Sequence, residues 1–159
     1  MNRENTVSMN LSAPNLMNVC IDEAKHEELC GRMYHYYGKE PVQFSGILEL
    51  LKRMEDLFDG IAFPQASTRS RSFTKKEEKA PYNVQLPERL TDERQLIGQR
   101  GKLATLLVRV GYRQNSTWQG EALWLERNEK KQFRNELEFL ALLKLASQKC
   151  EDYVTNGEK

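Results

Sequence analysis

The run Leu103-Ala-Thr-Leu-Leu-Val-Arg-Val-Gly-Tyr112 is followed by a polar turn and then by the run Trp118-Gln-Gly-Glu-Ala-Leu-Trp-Leu125. The first run contains the β-branched residues Thr105, Val108 and Val110, and the second contains Trp118 and Trp124; residues of these types favour strands. A charged loop comes next, and leucines then recur at helical spacing from Asn135 to about Cys150. The stretch therefore predicts strand, turn, strand and helix.

The same order of elements is predicted in the first part of the chain. An ungapped alignment of residues 19–51 with residues 108–140 keeps the predicted elements in step. Identical residues coincide at Val19 and Val108, Gly31 and Gly120, Gln43-Phe44 and Gln132-Phe133, Leu48-Glu49 and Leu137-Glu138, and Leu51 and Leu140. Two copies are too few for a solenoid. We therefore predict a duplicated half-domain packed about a pseudo-twofold axis.

These patterns predict a single α+β domain, in which two strand-strand-helix repeats form a largely antiparallel sheet with two helices on one face. Residues 1–14 are interpreted as a disordered arm and residues 15–61 as the first half. Residues 62–101 are interpreted as a mobile linker and residues 102–154 as the second half. The uncovered sheet face and the sheet edges are expected to be free for a partner.

Composition narrows the class of protein. Among 159 residues, 39% are hydrophobic and 30% are charged, and no apolar run reaches the length of ~20 residues that spans a bilayer. The polar N-terminus lacks the apolar core of a signal peptide, so we expect a cytoplasmic protein without a membrane partner. Three cysteines without a CxxC pair and two histidines predict neither a disulfide framework nor a metal site, and no cofactor motif is present.

The net charge of +1 conceals an asymmetry along the chain. Residues 15–60 carry 5 basic and 9 acidic side chains, a balance of −4. Residues 61–100 and residues 101–148 each carry 8 basic and 5 acidic side chains, a balance of +3. This asymmetry can guide a charged partner, although nucleic-acid binding usually needs a more basic surface.

Two sets of residues in the second half are candidates for binding. Side-chain alternation predicts that Arg109 and Arg113 share one strand face and that Trp118 and Trp124 share another. If the hairpin register brings these faces together, they form a cationic aromatic platform that stacks bases or holds phosphates. The alternative is that the tryptophans belong to the core and the arginines are solvated. The second set, before the helix, consists of Lys130, Lys131 and Arg134.

The predicted helix of the second half is apolar around most of its circumference, unlike the single apolar stripe of the first helix. Such a helix is usually covered on more than one side. Leu142 and Leu145 are therefore predicted to contact another subunit or a partner, with deep packing under the sheet and linker as the alternative.

No catalytic constellation is recognisable from spacing. We therefore expect a non-enzymatic interaction or regulatory protein that binds another macromolecule, either another protein or a second copy of itself. The alternative is a nucleic-acid or nucleotide binder that uses Arg109, Arg113, Trp118 and Trp124. A small enzyme using Glu121, Glu126 or His35 is the third hypothesis.

Overall fold

The computed structural model describes residues 9–25, 28–64, 86–114 and 117–156, without the side chains of Gln114 and of residues 149–156. Within these ranges the strands are β1 (Met17–Lys25), β2 (Glu28–His35), β3 (Val42–Ser45), β4 (Ala104–Gln114), β5 (Thr117–Trp124) and β6 (Glu129–Phe133). The helices are α1 (Ile47–Ile61), α2 (Glu93–Ile97) and α3 (Glu136–Asn156).

The six strands form one antiparallel sheet in the order β3-β2-β1-β4-β5-β6, which confirms the α+β class. The predicted repeat of two strands and a helix omits one strand in each half. The segment predicted as a charged loop contains β6, because Phe133 is buried and anchors an otherwise polar strand against β5. Each half therefore contains three strands followed by a long helix.

The two halves correspond closely at a separation of 89 residues. At that separation, β2 coincides with β5 from end to end, and α1 and α3 begin at equivalent positions. Each hairpin also contains a bulge at an equivalent residue, Asp22 in the first half and Gly111 in the second. A common origin of the two halves stays a prediction.

The bulges give the aligned glycines a physical role. A Cβ atom on Gly31 would lie 1.9 Å from the carbonyl oxygen of Cys20, and one on Gly120 would lie 2.1 Å from the carbonyl oxygen of Arg109. Both distances are far below van der Waals contact, so the backbones of the paired strands approach each other only because these residues lack a side chain. Gly31 and Gly120 are therefore structural.

Both long helices pack on one face of the sheet, as predicted. Leu50, Met54 and Phe58 of α1 share a hydrophobic core with Phe139 and Leu143 of α3. The strand residues of this core are the alternate positions that face the helices, such as 17, 19 and 21 of β1 and 106, 108 and 110 of β4. The apolar stripe of each helix thus defines the buried face of the sheet.

The opposite face is not left open along its centre, so the prediction of an uncovered face is wrong there. Leu96 of α2 is fully buried against Leu107 and Leu123. The side-chain amide of Asn18 donates hydrogen bonds to the carbonyl oxygens of Leu96, at 2.8 Å, and of Gln99, at 3.0 Å. These contacts bring α2 onto the second face because they satisfy a polar side chain that would otherwise be buried alone.

Residues 9–14 of the predicted arm and residues 86–101 of the predicted linker belong to this second layer. Within residues 9–14, Ala13 is buried and Leu11 packs at the margin of the same cluster. Residues 86–101 contain α2, which begins at Asp92 with a capping box completed by Gln95. Residues 1–8 and 65–85 lie outside the described residues, and the mobile linker stays a prediction for the latter.

Candidate functional site

The bulge in β4 separates the two arginines that were predicted to share a face. Arg109 pairs with Glu121 across the hairpin, whereas Arg113 pairs with Trp118. Because Gly111 adds one residue to β4, the side-chain alternation is reversed beyond it. Arg113 therefore lies on the helix face and Arg109 on the opposite face. The prediction of a shared face is wrong for this reason.

Arg113 is buried, with 4% of its surface exposed, and ties the β4–β5 hairpin to the end of α1. Its Nε donates to the carbonyl oxygen of Pro64 at 2.6 Å. Its Nη1 donates to Asp59 Oδ1 at 2.9 Å and to Glu55 Oε1 at 3.2 Å. Such a set of hydrogen bonds, two of them to carboxylates, holds the buried guanidinium in a fixed geometry. Arg113 therefore stabilises the fold and is withdrawn from the surface.

Trp118 and Trp124 are buried as well, at 4% and 7% exposed, which confirms the interpretation that they belong to the core. Trp118 donates from Nε1 to Glu55 Oε2 at 2.9 Å and meets the ring of Phe58 edge to face, with 5.3 Å between the ring centroids. The four residues of the predicted cationic aromatic platform therefore do not form one exposed surface.

Arg109 belongs to an ion cluster on the face opposite the helices. Its Nε lies 3.2 Å from Glu121 Oε1, and Lys130 Nζ lies 3.4 Å from Glu121 Oε2. Glu121 is only 8% exposed, so two cations compensate one carboxylate that is largely removed from water. Of the predicted binding residues, Arg109 and Lys130 are thus brought together by Glu121.

A cleft of about 760 Å³ opens beside this cluster, at the corner of the sheet. It forms because β6 ends at Phe133, which pairs with Gly120, while the β4–β5 hairpin continues beyond that point. The first turns of α3 close the remaining side. The lining residues come from both faces of the sheet edge and from α3: Arg109, Gly111, Tyr112, Gln119, Gly120, Glu121, Gln132, Phe133, Arg134, Glu138, Ala141 and Leu142.

The walls of this corner cleft differ in character. Phe133, Ala141 and Leu142 supply apolar surface on the helix side, whereas Gln119 and Gln132 supply amides on the other. Tyr112 is 62% exposed, which is unusual for a large aromatic side chain on a strand. A cleft lined by apolar side chains on one side and by hydrogen-bonding side chains on the other can hold both parts of an amphipathic ligand.

The corner cleft also includes the start of α3. The side chain of Asn135 accepts a hydrogen bond from the backbone N–H of Glu138 at 2.9 Å, and the carboxylate of Glu138 accepts one from the backbone N–H of Arg134 at 2.7 Å. These two bonds fix the first turn of the helix. The exposed side chain of Arg134 is therefore presented from a rigid backbone.

A second, shallower groove lies between β6 and α3. Its lining includes Trp124, Glu129, Lys131, Leu142 and Leu145. Leu142 lines both the groove and the corner cleft, so the two depressions are continuous along α3. Leu145 is 40% exposed. The two leucines predicted to face a partner therefore lie beside the sheet edge, with Lys131 next to them.

The sequence did not mark Gln119, Gln132 or Glu138 as site residues. These side chains are polar and lie in three different elements. They meet only because β6 ends before the β4–β5 hairpin does. The lining residues that were predicted from the sequence are Arg109, Arg134 and Leu142, and the exposed Tyr112 follows the bulge at Gly111, which re-aims its side chain.

Partial or full burial shifts the pKa of groups elsewhere in the fold, among them His35 and Cys20. Burial lowers the pKa of His35, whose Nδ1 accepts a hydrogen bond from the backbone N–H of Tyr37 at 3.1 Å. Burial raises the pKa of the Cys20 thiol to about 12. Among the described residues, no three His, Cys, Asp or Glu side chains are grouped to hold a metal ion. Nor is any helix of the described ranges long and apolar enough to cross a membrane.

Comparison of the chain with protein-family models, with curated proteins and with solved structures finds no match.

Proposed function

We propose that this protein is a non-enzymatic interaction protein, and that it binds a segment of another protein in the corner cleft. The observation that carries this proposal is the cleft itself, an opening of about 760 Å³ lined by apolar side chains on the helix side of the sheet edge and by amide side chains on the other side. Its size is in the range that takes a small ligand or a few side chains of a peptide.

The surroundings of the cleft favour a macromolecular ligand. Tyr112 is exposed at its margin, and Leu137, in the same first turn of α3 as Glu138, is 77% exposed. Tyrosine is enriched at protein interfaces because its ring gives a large contact area and its hydroxyl can still form a hydrogen bond. A partner that fills the cleft and spreads over this margin would cover both residues.

The cleft also offers charge of both signs. Arg134 is exposed and Glu138 is held by the backbone, whereas Arg109 and Glu121 neutralise each other. A lining with this balance suits a segment with mixed polar and apolar side chains better than a phosphate backbone, which needs a cluster of uncompensated cations. The corner cleft thus supports protein binding ahead of the nucleic-acid alternative.

The test is a pull-down from the source organism's lysate with the tagged chain, with and without nuclease, analysed by mass spectrometry. The variant Ala141→Arg places a long charged side chain in the cleft from an exposed helical position. The control, Leu48→Arg, adds the same charge at an exposed position of α1 that does not line the cleft.

We expect a protein that survives nuclease treatment, is retained by Leu48→Arg and is lost with Ala141→Arg. Equal recovery by both variants would place the binding surface elsewhere. Nucleic acid that co-purifies, with all capture abolished by nuclease, would replace this proposal with the nucleic-acid alternative.

A further inference from the structure

The outer edge of β6 is the feature that carries a second inference, which does not depend on the proposed function. In the described part of the chain, β6 is the last strand of the sheet, and no other strand pairs with its outer side. The backbone groups on that side can pair with an added strand. We propose that the added strand is β6 of a second copy, and that the protein forms a symmetric dimer through this edge.

Symmetry restricts how two β6 strands can pair. In a closed dimer the same surface of each copy meets across a twofold axis, so the two strands run antiparallel. If the axis is perpendicular to the sheet, facing residues have their side chains on the same face, and odd-numbered residues face odd-numbered ones. Only a few registers satisfy this condition.

One of these registers is complementary in charge. With Lys130 at the axis, Glu129 of each copy faces Lys131 of the other, and two opposite-charge pairs form. A shift in one direction places Lys131 opposite Lys131 of the second copy, and a shift in the other places Glu129 opposite Glu129. The register centred on Lys130 is therefore selected by the charges of β6.

Among the described residues, the two charges needed for these pairs, those of Glu129 and Lys131, have no ion-pair partner within their own chain. Lys130, which faces its own copy across the axis, lies 3.4 Å from the carboxylate of Glu121, which it shares with Arg109. The like charges at the centre of the interface are thus screened by a neighbouring carboxylate.

The groove beside β6 provides apolar surface continuous with this edge. Leu145, at 40% exposed, lines the groove with Glu129 and Lys131, on the helix face. A twofold axis at Lys130 brings the α3 helices of both copies toward each other over that face, which covers Leu145. The opposite edge of the sheet, β3, has no charged residue and offers no such complementarity.

Lysines on an edge strand can also serve to prevent pairing. Glu129 and Lys131 alternate on one face, and this order of charges is complementary to a second copy only when the two strands run antiparallel. The order therefore favours pairing between copies over prevention of pairing. Charge exchange tests this. Lys131→Glu and Glu129→Lys each create two like-charge pairs, whereas the double variant restores two opposite-charge pairs with the signs exchanged.

The experiment is sedimentation velocity over a wide range of protein concentration, with circular dichroism to confirm that each variant is folded. We expect the wild-type chain to dimerise, each single variant to dissociate at least about tenfold more readily, and the double variant to recover dimerisation. An equal mixture of the two single variants should form a heterodimer. In that heterodimer two glutamates of the Lys131→Glu chain face two lysines of the Glu129→Lys chain, so both pairs are again opposite in charge.

Gln43→Glu on β3 is the control, since it adds a charge to the other edge strand and should leave the dimer unchanged. Leu145→Asp should weaken the dimer, and Leu48→Asp, at an exposed leucine of α1, should not. A wild-type chain that is monomeric at every concentration would overturn the proposal. So would a dimer that the single variants do not weaken, or a double variant that remains monomeric.

Discussion

Replacing Gly120 with alanine should strongly destabilise the protein, although it adds only one methyl group. The new Cβ would lie 2.1 Å from the carbonyl oxygen of Arg109, 2.8 Å from the Cα of Val110 and 2.9 Å from Cζ of Phe133. Two of these atoms belong to the backbone of the adjacent strand. Relief of the first contact requires a displacement of more than an ångström at the bulge, where the strands are already irregular.

The size of the effect can be bounded. An added methylene in a well-packed core costs about 1–3 kcal/mol when side chains can adjust. Here the backbone itself must move, so we expect a loss of at least about 3 kcal/mol in the free energy of unfolding, a large part of the ~5–15 kcal/mol that stabilises a typical domain. Gly31→Ala should behave alike, because its Cβ would lie 1.9 Å from the carbonyl oxygen of Cys20.

Two other glycines are matched controls. A Cβ on Gly111 would have its nearest neighbour, the carbonyl oxygen of Gln119, at 3.7 Å, so Gly111→Ala should change stability by less than about 1 kcal/mol. Gly60, near the end of α1, has nothing within 4 Å of a Cβ, and Gly60→Ala should stabilise the protein by about 0.5–1 kcal/mol because alanine favours the helix.

The assay is urea unfolding followed by circular dichroism and by the fluorescence of the two tryptophans, both of which are buried. The order of stability should be Gly60→Ala, wild type, Gly111→Ala and then Gly120→Ala. A loss of less than about 1 kcal/mol for Gly120→Ala would refute the role assigned to the close strand approach.

Three further outcomes follow from buried groups. Arg113→Met should lower the free energy of unfolding by about 2–4 kcal/mol, because the groups that accept its hydrogen bonds lose their donor. Arg94→Met, at an exposed position of α2, should lower it by less than about 0.5 kcal/mol in the same urea assay. Thiol labelling, followed by peptide mass spectrometry, should modify the half-buried Cys30 in the native protein and the buried Cys20 only after unfolding. Equal labelling rates for the two cysteines would contradict this. The pKa of His35 is lower in the folded than in the unfolded chain, so the unfolded chain binds the proton first, and stability should fall as the pH drops below about 6.5. His35→Gln should flatten that pH dependence, and an unchanged slope would assign it to other groups.

Elements with a strong local pattern could be predicted from the amino-acid sequence. β4 and β5 follow from alternating apolar residues flanked by a polar turn, and α1 follows from leucines and other apolar residues at spacings of three and four. The ungapped alignment of residues 19–51 with residues 108–140 also anticipated equivalent hairpins and helices. These features depend on periods of two and 3.6 residues, which any short window of sequence contains.

The location of the site depends on how the strands pair in the folded chain. β6 contains a single buried residue, Phe133, so its sequence resembles a charged loop, and its pairing with β5 has no local signal. Side-chain alternation alone places Arg113 on the same face as Arg109. The bulge at Gly111 places Arg113 on the buried face instead. A bulge and a strand end are set by pairing between distant residues. The corner cleft and the open edge of β6 exist because of them, and periodicity within one segment does not record such pairing.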